Sequence, residues 1–98
     1  MLNANTARGR QTANSNPGLI TILRLPAVKA GSGYSRSTVY LRIAQGLWTK
    51  QVSLGPRCVG WPAHEVAALN AARIAGSSDE DIRALVVKLE SARKTAGQ

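Results

Sequence analysis

The stretch from Gly33 to Trp61 places the strongest constraint on how this chain folds. Its first half begins with a glycine-containing turn and continues as a helix, with Val39 and Ile43 four residues apart on one side. Its second half alternates polar and apolar residues around Gly55-Pro56, which predicts a β-hairpin. A tight turn before a capped helix is how a helix-turn-helix presents its second helix, and the hairpin would form a wing beside it.

The rest of the chain supplies further elements around this stretch. Ser77 and Glu80 form a Ser-x-x-Glu pattern, which predicts a capping box at the start of a last helix. The predicted elements are an edge strand within 19–25, a short helix that opens at Pro26 and is stopped by Gly31-Ser32-Gly33, a helix from about 63 to 75 that ends at Gly76, and a last helix that buries Ile82, Leu85, Val86 and Leu89.

A chain of 98 residues has room for one small domain. We expect an α+β fold that is mostly helical, with a MerR-like winged helix-turn-helix and a C-terminal helical extension. Residues 1–18 are polar and basic, and they are expected to form a disordered arm. The winged domain is expected to span 19–76. The helix within 77–98 either packs on that domain or mediates association with another chain.

The charge of the chain is large and unevenly placed. Thirteen Lys and Arg residues oppose five acids, which gives a net charge of +8. All five acids lie at or after position 65, where five of the bases also lie, so residues 1–64 carry eight bases and no acid. The cationic field therefore coincides with the helix-turn-helix and the wing. This coincidence favours a nucleic-acid partner over a generic basic protein.

The outer face of the helix that follows the turn carries the candidate DNA contacts. Ser35 is the expected N-cap. Serine and threonine hydroxyls and helix N-terminal amides suit phosphate oxygens, while arginine suits guanine or phosphate. The predicted DNA-binding residues are Ser35, Arg36, Ser37, Thr38, Tyr40, Leu41 and Arg42 on this helix, with Lys50 and Arg57 on neighbouring positions of the wing.

Each of these predictions has an alternative. Ser35 can cap the helix while its neighbours are simply solvated. Tyr40 can point outward to a phosphate or pack against the wing, and Leu41 can meet a thymine methyl group or pack beneath the wing. Lys50 and Arg57 can be solvated charges that protect an edge strand from aggregation.

The aromatic residues and the single cysteine are better explained by packing. Trp61, at the junction of strand and helix, is expected to anchor the core. Two roles remain open for Trp48, packing in the core and stacking on single-stranded bases. Cys58 is the only cysteine, which excludes an internal disulfide and a multi-thiolate metal site. It is expected to be a small, buried or half-buried hydrophobe.

The chain lacks the residue patterns of an enzyme. His64 is the only histidine, and no Ser-His-Asp set, paired carboxylates, phosphate-binding loop or metal-ligand spacing is present. We therefore expect no catalysis, no cofactor and no small-molecule ligand. Residues 1–17 lack the apolar segment of a signal peptide, and no long apolar run predicts a membrane span. A cytoplasmic, nucleoid-associated location is expected.

Several short segments occur together in a particular order and spacing. They are 23–28 (Leu-Arg-Leu-Pro-Ala-Val), 35–40 (Ser-Arg-Ser-Thr-Val-Tyr), 52–57 (Val-Ser-Leu-Gly-Pro-Arg) and 59–62 (Val-Gly-Trp-Pro), followed by Glu65-Val66. Through them the chain resembles the AlpA family of phage and prophage regulatory proteins, small relatives of excisionases and of MerR-type winged helix-turn-helix proteins. The resemblance covers roughly residues 18 to 94.

The resemblance implies a winged helix-turn-helix that binds double-stranded DNA and regulates genes of prophages or integrated elements. It puts Ser35, Arg36, Ser37, Thr38 and Tyr40 on the DNA-reading helix, and Arg57 on the wing. The fold serves two related functions, a sequence-specific transcriptional regulator and an excisionase-type factor that bends DNA for recombination. A third hypothesis is a protein-interaction module, in which the last helix binds a second copy, a recombinase or RNA polymerase.

Overall fold

The computed structural model describes residues 20–96, and these form a small antiparallel sheet with helices packed around it. The predicted fold class, α+β and mostly helical, is confirmed. The predicted arm at 1–18 lies outside the described residues. The elements are β1 (Ile22–Leu23), α1 (Leu25–Ser32), α2 (Arg36–Ala44), β2 (Val52–Gly55), β3 (Cys58–Pro62), α3 (Ala63–Ile74) and α4 (Asp79–Ala96).

Helices α1 and α2 are joined by a tight turn. Pro26 lies in the first turn of α1, where its missing N–H costs nothing. Gly33 ends α1 in the left-handed conformation, with φ of 78°, and its N–H donates to the carbonyl oxygen of Lys29. The predicted stop at Gly31-Ser32-Gly33 is correct only for Gly33, because Gly31 and Ser32 are helical. A glycine at this position is the usual end of a helix, since a left-handed residue there has no side chain to clash.

Helix α2 begins as the sequence predicts. The Oγ of Ser35 accepts a hydrogen bond from the backbone N–H of Thr38 at 3.2 Å, which confirms Ser35 as the N-cap. Val39 is completely buried and Ile43 is half-buried, so the predicted inward stripe is confirmed. The order of elements that follows is compatible with a winged helix-turn-helix, whereas its MerR-like form stays a prediction.

Strand β3 is the centre of the sheet, with β1 on one side and β2 on the other, both antiparallel. The predicted edge strand is confirmed but is only two residues long. Gly60 allows β1 to approach, because a Cβ there would lie 2.6 Å from the Cγ2 of Ile22. The hairpin is confirmed, but its turn is Pro56-Arg57, not Gly55-Pro56, since Gly55 still pairs with Cys58.

The core lies between the sheet and the helices. Trp61 is completely buried, and its indole N–H donates to the carbonyl oxygen of Thr49 at 3.0 Å, so its predicted role as a core anchor is confirmed. Trp48 is also buried, with its ring 5.7 Å from that of Tyr34. Its ring is therefore part of the core and is not an exposed platform for bases. Cys58 is half-buried, as predicted.

Helix α4 packs its apolar stripe on the same core. Ile82 and Val86 are buried, and Leu85 and Leu89 pack beside them. This matches the alternative in which the last helix completes its own domain. The predicted capping box at Ser77 and Glu80 is wrong by one residue, because the Oγ of Ser78 accepts from the N–H of Asp81. Two adjacent serines offer the same local signal, and the chain uses the second.

An ion pair joins α4 to α3 and to the base of the wing. The guanidinium of Arg93 donates to both carboxylate oxygens of Glu65, at 2.7 and 2.8 Å, and Glu65 is completely buried. Arg93 also donates to the carbonyl oxygen of Lys50, and Glu90 accepts from the N–H of Lys50. The hydrogen bonds with Glu65 raise the pKa of Arg93 above its ordinary value, despite its partial burial. Arg93 therefore stays charged around neutral pH.

Candidate nucleic-acid interface

The outer face of α2 is open to solvent. Ser37 is exposed, and the side chain of Leu41 is exposed over 54% of its surface. Both lie away from the buried side that Val39 defines, as the helical period predicts. With this exposure, Leu41 packs little against the wing. An apolar side chain held out on a polar helix face offers contact to another molecule, and this is consistent with the thymine-methyl alternative.

Tyr40 lies on the flank of α2 that faces the wing, not on the outer face. Its ring is half-buried, and its centroid lies 6.3 Å from that of Trp61 in an edge-to-face arrangement. The expectation that Tyr40 points away from the core is therefore wrong, because one residue after Val39 the helix has turned only partway outward. Packing beside the wing was the alternative. A contact from its hydroxyl to DNA stays a prediction.

Ser35 and Thr38 are tied to each other at the start of α2. Besides capping the helix, the hydroxyl of Ser35 donates to the hydroxyl of Thr38 at 2.9 Å. The Oγ of Ser37 lies 3.3 Å from the Oγ of Ser35. These bonds hold the first turn of α2 in place. Their predicted contacts to DNA stay predictions, and the exposed Ser37 has the greatest freedom to make one.

Arg42 lies on the opposite flank of α2 from Tyr40. Its guanidinium is 5.7 Å from the ring centroid of Tyr34 and donates to the side chain of Gln45 at 3.1 Å. The residue is half-buried, and its Nε is buried with no hydrogen-bond partner in the described part of the chain. These contacts explain Arg42 as a side chain that covers Tyr34, and its predicted contact to DNA is untested.

Lys50 and Arg57 lie at opposite ends of the hairpin. Val52 pairs with Gly60 and Gly55 pairs with Cys58, so Arg57 is in the turn while Lys50 precedes β2 at the base. The prediction that they occupy neighbouring wing positions is wrong, because the strands between them run the full length of the hairpin. The side chains of both are exposed.

A cleft between α2 and the wing gathers three arginines from distant parts of the sequence. We call it the arginine cleft, a concavity of roughly 380 Å³. Arg24 comes from the end of β1, Arg36 from the start of α2, and Arg57 from the hairpin turn. Its lining residues are Arg24, Leu25, Pro26, Arg36, Tyr40, Arg57 and Val59.

Arg24 was absent from the candidates that the sequence predicted. The residue reaches the cleft because β1 pairs with β3, which sets Leu23 opposite Trp61. Its Nε donates to the carbonyl oxygen of Val59 at 3.0 Å, so β3 holds the guanidinium in place. The sequence did place Arg24 in the acid-free basic segment and in the family-like segment 23–28, but neither signal tied it to the wing. Its spatial neighbours depend on a strand register that local patterns do not reveal.

The cleft is cationic because the acids of the chain lie elsewhere. Glu65 pairs with Arg93, and Asp79 lies 3.4 Å from Arg73. None of the three cleft arginines forms an ion pair within residues 20–96, where all the acids are found. Arg36 instead lies with its guanidinium carbon 5.5 Å from the ring centroid of Tyr40, in a cation–π contact. The cleft therefore presents positive charge to solvent.

The described residues contain no group of three or more His, Cys, Asp or Glu side chains placed to hold a metal ion. None of the helices in this part of the chain has the length and apolar character that crossing a membrane requires. His64 is exposed at the start of α3.

The order of elements and the basic cleft are compatible with a small protein of the helix-turn-helix class. A family comparison adds that residues 21–73 match the model of the family described as "Prophage CP4-57 regulatory protein (AlpA)". The chain belongs to this family of phage regulatory proteins, which confirms the resemblance seen in the sequence. The match covers β1 through nearly all of α3, and so includes the whole arginine cleft.

A relative among known proteins is the "Uncharacterized protein ORF88" of Enterobacteria phage P4. It is 50% identical over 54 residues, which cover 55% of this chain and 61% of that protein. The chain thus spans about three fifths of the length of the curated relative that it matches. No solved structure matches the chain.

Proposed function

We propose that the protein binds double-stranded DNA at a specific sequence and regulates transcription of prophage or mobile-element genes. The observation that carries the proposal is the exposed outer face of α2 beside a cleft with three arginines and no acid. A polar helix face flanked by positive charge is the usual arrangement of proteins that read the major groove. Membership of a phage regulatory family supports the same conclusion.

In this proposal α2 lies in the major groove, which is wide enough to admit a helix. Ser37 donates or accepts at base edges, and Leu41 meets a thymine methyl group. The wing lies against the backbone, with Arg57 at its tip. Ser35, Thr38 and the free amides of the first turn face a phosphate at the groove edge. Tyr40, Arg42 and Lys50 border this surface and are assigned weaker contacts.

The proposal assigns no catalytic step and no cofactor to the chain. The ligand of the protein would be the DNA duplex, so we place the protein in the cytoplasm, with the nucleoid. The basic segment before residue 65 attracts the duplex at long range, and this attraction weakens as salt rises. Sequence choice comes instead from the short-range contacts of α2.

Selection of bound duplexes from a random DNA pool tests the proposal directly. We expect one motif to be recovered, bound much more tightly than unrelated duplexes at physiological salt. A palindromic motif would indicate two copies bound about its centre, and a non-palindromic motif a single copy. Recovery of no motif would contradict the proposal.

Two substitutions on α2 then test which residues read bases. Ser37→Ala and Leu41→Ala are each expected to weaken discrimination at one or two positions of the motif, by about fivefold or more. Ser91→Ala and Val87→Ala on α4 are matched controls, because both side chains are exposed and lie outside the proposed interface. If the α2 variants select the same motif with the same discrimination, α2 does not read the bases.

An excisionase-type factor would use the same surface to bend DNA. The two functions differ in the shape of the bound duplex, which electrophoresis of circularly permuted fragments measures. Mobility that does not depend on the position of the site supports the transcriptional regulator. Mobility that is lowest with the site at the centre of the fragment supports the DNA-bending factor.

A further inference from the structure

We infer that the arginine cleft binds a single phosphate of the DNA backbone, and that Arg36 contacts this phosphate and not a base. The inference rests on the proposed function and deepens it. It adds Arg24 to the interface, and for Arg36 it chooses phosphate over guanine, the two partners that the sequence left open. The phosphate would fix where α2 sits along the duplex, leaving base reading to the outer face.

The charge of the cleft favours an anionic ligand. Arg24, Arg36 and Arg57 line one concavity, and none of them has an acidic partner within residues 20–96. Like charges gathered at one place repel, so the free protein gains nothing electrostatically from this arrangement. An anion seated among them would turn the repulsion into attraction. A phosphodiester is the anion that a DNA duplex supplies at every nucleotide.

Two of the three guanidinium groups are already held in place before any ligand binds. The Nε of Arg24 donates to the carbonyl oxygen of Val59, which leaves its two Nη groups free to donate to a ligand. Arg36 lies against the ring of Tyr40, which in turn packs on Trp61. Side chains that are ordered before binding lose less entropy when they bind. The planar fork of arginine also matches two oxygens of a phosphate.

The backbone at Arg57 also favours a ligand at the cleft. Its φ is 56°, in the left-handed region, and it is the second residue of the turn after Pro56. Glycine or asparagine is the usual residue with positive φ in such a turn. The chain instead places a long cationic side chain there, and this side chain lines the cleft. A costly backbone conformation that serves to aim a charged group is characteristic of a ligand-binding position.

The position of the cleft separates phosphate contact from base contact. Arg36 and Tyr40 lie on the flank of α2 toward the wing, whereas Ser37 and Leu41 lie on the outer face. With the outer face in the groove, the flank meets the strand that borders the groove. A free phosphate ion has the same chemistry. The backbone is the better ligand, because its neighbouring phosphates and released counterions add affinity that one ion lacks.

The test uses the duplex recovered by selection, with single phosphates replaced one at a time by uncharged methylphosphonates. Binding of the full chain is followed by fluorescence anisotropy. We expect one position near the wing at which wild type loses about tenfold to a hundredfold in affinity. On the duplex with a methylphosphonate at that position, Arg24→Ala should bind almost as tightly as wild type, because the phosphate that Arg24 would contact is no longer charged.

A salt series gives a second reading that does not depend on modified DNA. Removing one of the three arginines should reduce the slope of log K against log[salt] by up to about 1, since the other two still contact the phosphate. Arg24→Ala and Arg36→Ala are expected to show this change with the preferred motif unaltered. Lys88→Ala is the charge-matched control, because Lys88 is exposed on α4 and outside the cleft. Thermal unfolding of each variant confirms that it is folded.

The outcomes separate the inference from the proposed function. The inference is overturned if Arg36→Ala changes the preferred base at any motif position, or if no phosphate position couples to Arg24. In either case, a clear motif selected by the wild-type protein would still support the proposed function. If selection recovers no motif, the salt series on an arbitrary duplex still tests the cleft. A slope lowered by Arg24→Ala and Arg36→Ala but not by Lys88→Ala would keep the phosphate-binding cleft and reject sequence-specific regulation. Inorganic phosphate that displaces the duplex at low concentration would instead assign the cleft to the free ion.

Discussion

The arginines of the cleft and Arg93 of α4 differ in what neutralises their charge. Arg93 donates two hydrogen bonds to the buried carboxylate of Glu65 and one to the backbone of Lys50. Arg24, Arg36 and Arg57 have no acid beside them and are exposed. The comparison teaches that one residue type serves two purposes in this small protein. Arg93 joins helices, whereas in our proposal the cleft arginines are left for a partner.

The largest effect that tests this comparison is expected from Arg93→Ala. The substitution leaves the carboxylate of Glu65 buried without its partner, and breaking such a pair costs about 3–5 kcal/mol of unfolding free energy. Urea unfolding followed by circular dichroism measures the loss. Lys94→Ala, an exposed change of the same charge on the same helix, should leave stability within about 0.5 kcal/mol of wild type. Equal urea midpoints for the two variants would contradict the stabilising role that the comparison gives to Arg93.

A second effect is expected at Gly60, which lets β1 and therefore Arg24 reach the cleft. A Cβ at this position would lie 2.6 Å from Ile22 Cγ2 and 3.0 Å from the carbonyl oxygen of Leu23. Gly60→Ala should thus lower stability by about 1–3 kcal/mol. It should also weaken DNA binding as Arg24→Ala does.

Gly31→Ala is the matched control for Gly60→Ala. Gly31 lies within α1, and a Cβ there would meet nothing within 4 Å. Alanine should therefore raise stability by about 0.5–1 kcal/mol, because it favours the helix more than glycine does. If Gly60→Ala proves as stable as wild type, β1 is held to β3 less tightly than the structure indicates.

Arg57→Gly should separate binding from stability within one residue. Glycine adopts a φ of 56° without strain, so stability should change by less than about 1 kcal/mol in either direction. DNA affinity should fall by about tenfold, because the charge at the turn is lost. Thermal unfolding and a binding titration on the same sample measure both quantities. Unchanged affinity would exclude the hairpin turn from the interface.

The smallest effect concerns the start of α4. Ser78→Ala should cost about 1 kcal/mol, because the Oγ of Ser78 caps the helix by accepting from the N–H of Asp81. Ser77→Ala, one residue earlier, should cost much less. Neither change should alter DNA affinity, since both lie outside the cleft. The reverse order of stabilities would restore the capping box that the sequence predicted at Ser77.

Short-range patterns in the sequence predicted most of the secondary structure. The cap at Ser35, the buried positions of α2 and α4 and the hairpin all follow from periodicity and turn residues within a few positions. The anchoring role of Trp61 was also predictable, because a large aromatic residue at a strand-to-helix junction faces the core. The family resemblance added the order of the elements.

The parts of the site that depend on distant contacts were not predictable in the same way. Arg24 reaches Val59, 35 residues later, and Arg93 reaches Glu65 across 28 residues. Both contacts depend on strand register or helix packing, which no local pattern encodes. Lys50 and Arg57 were misplaced for a related reason. Alternation predicts a hairpin, but the pairing of Gly55 with Cys58 decides where the turn falls.

The two aromatic pairs give the protein optical reporters of its own. Tyr34 lies beside Trp48, and Tyr40 lies beside Trp61. The pairs stand on opposite flanks of α2, and only the second touches the arginine cleft. A Trp48→Phe protein would therefore emit from the cleft side alone, and a Trp61→Phe protein from the far side. If a ligand changes the emission of the Trp48→Phe protein and leaves that of the Trp61→Phe protein unchanged, the ligand occupies the cleft. The measurement needs no added dye.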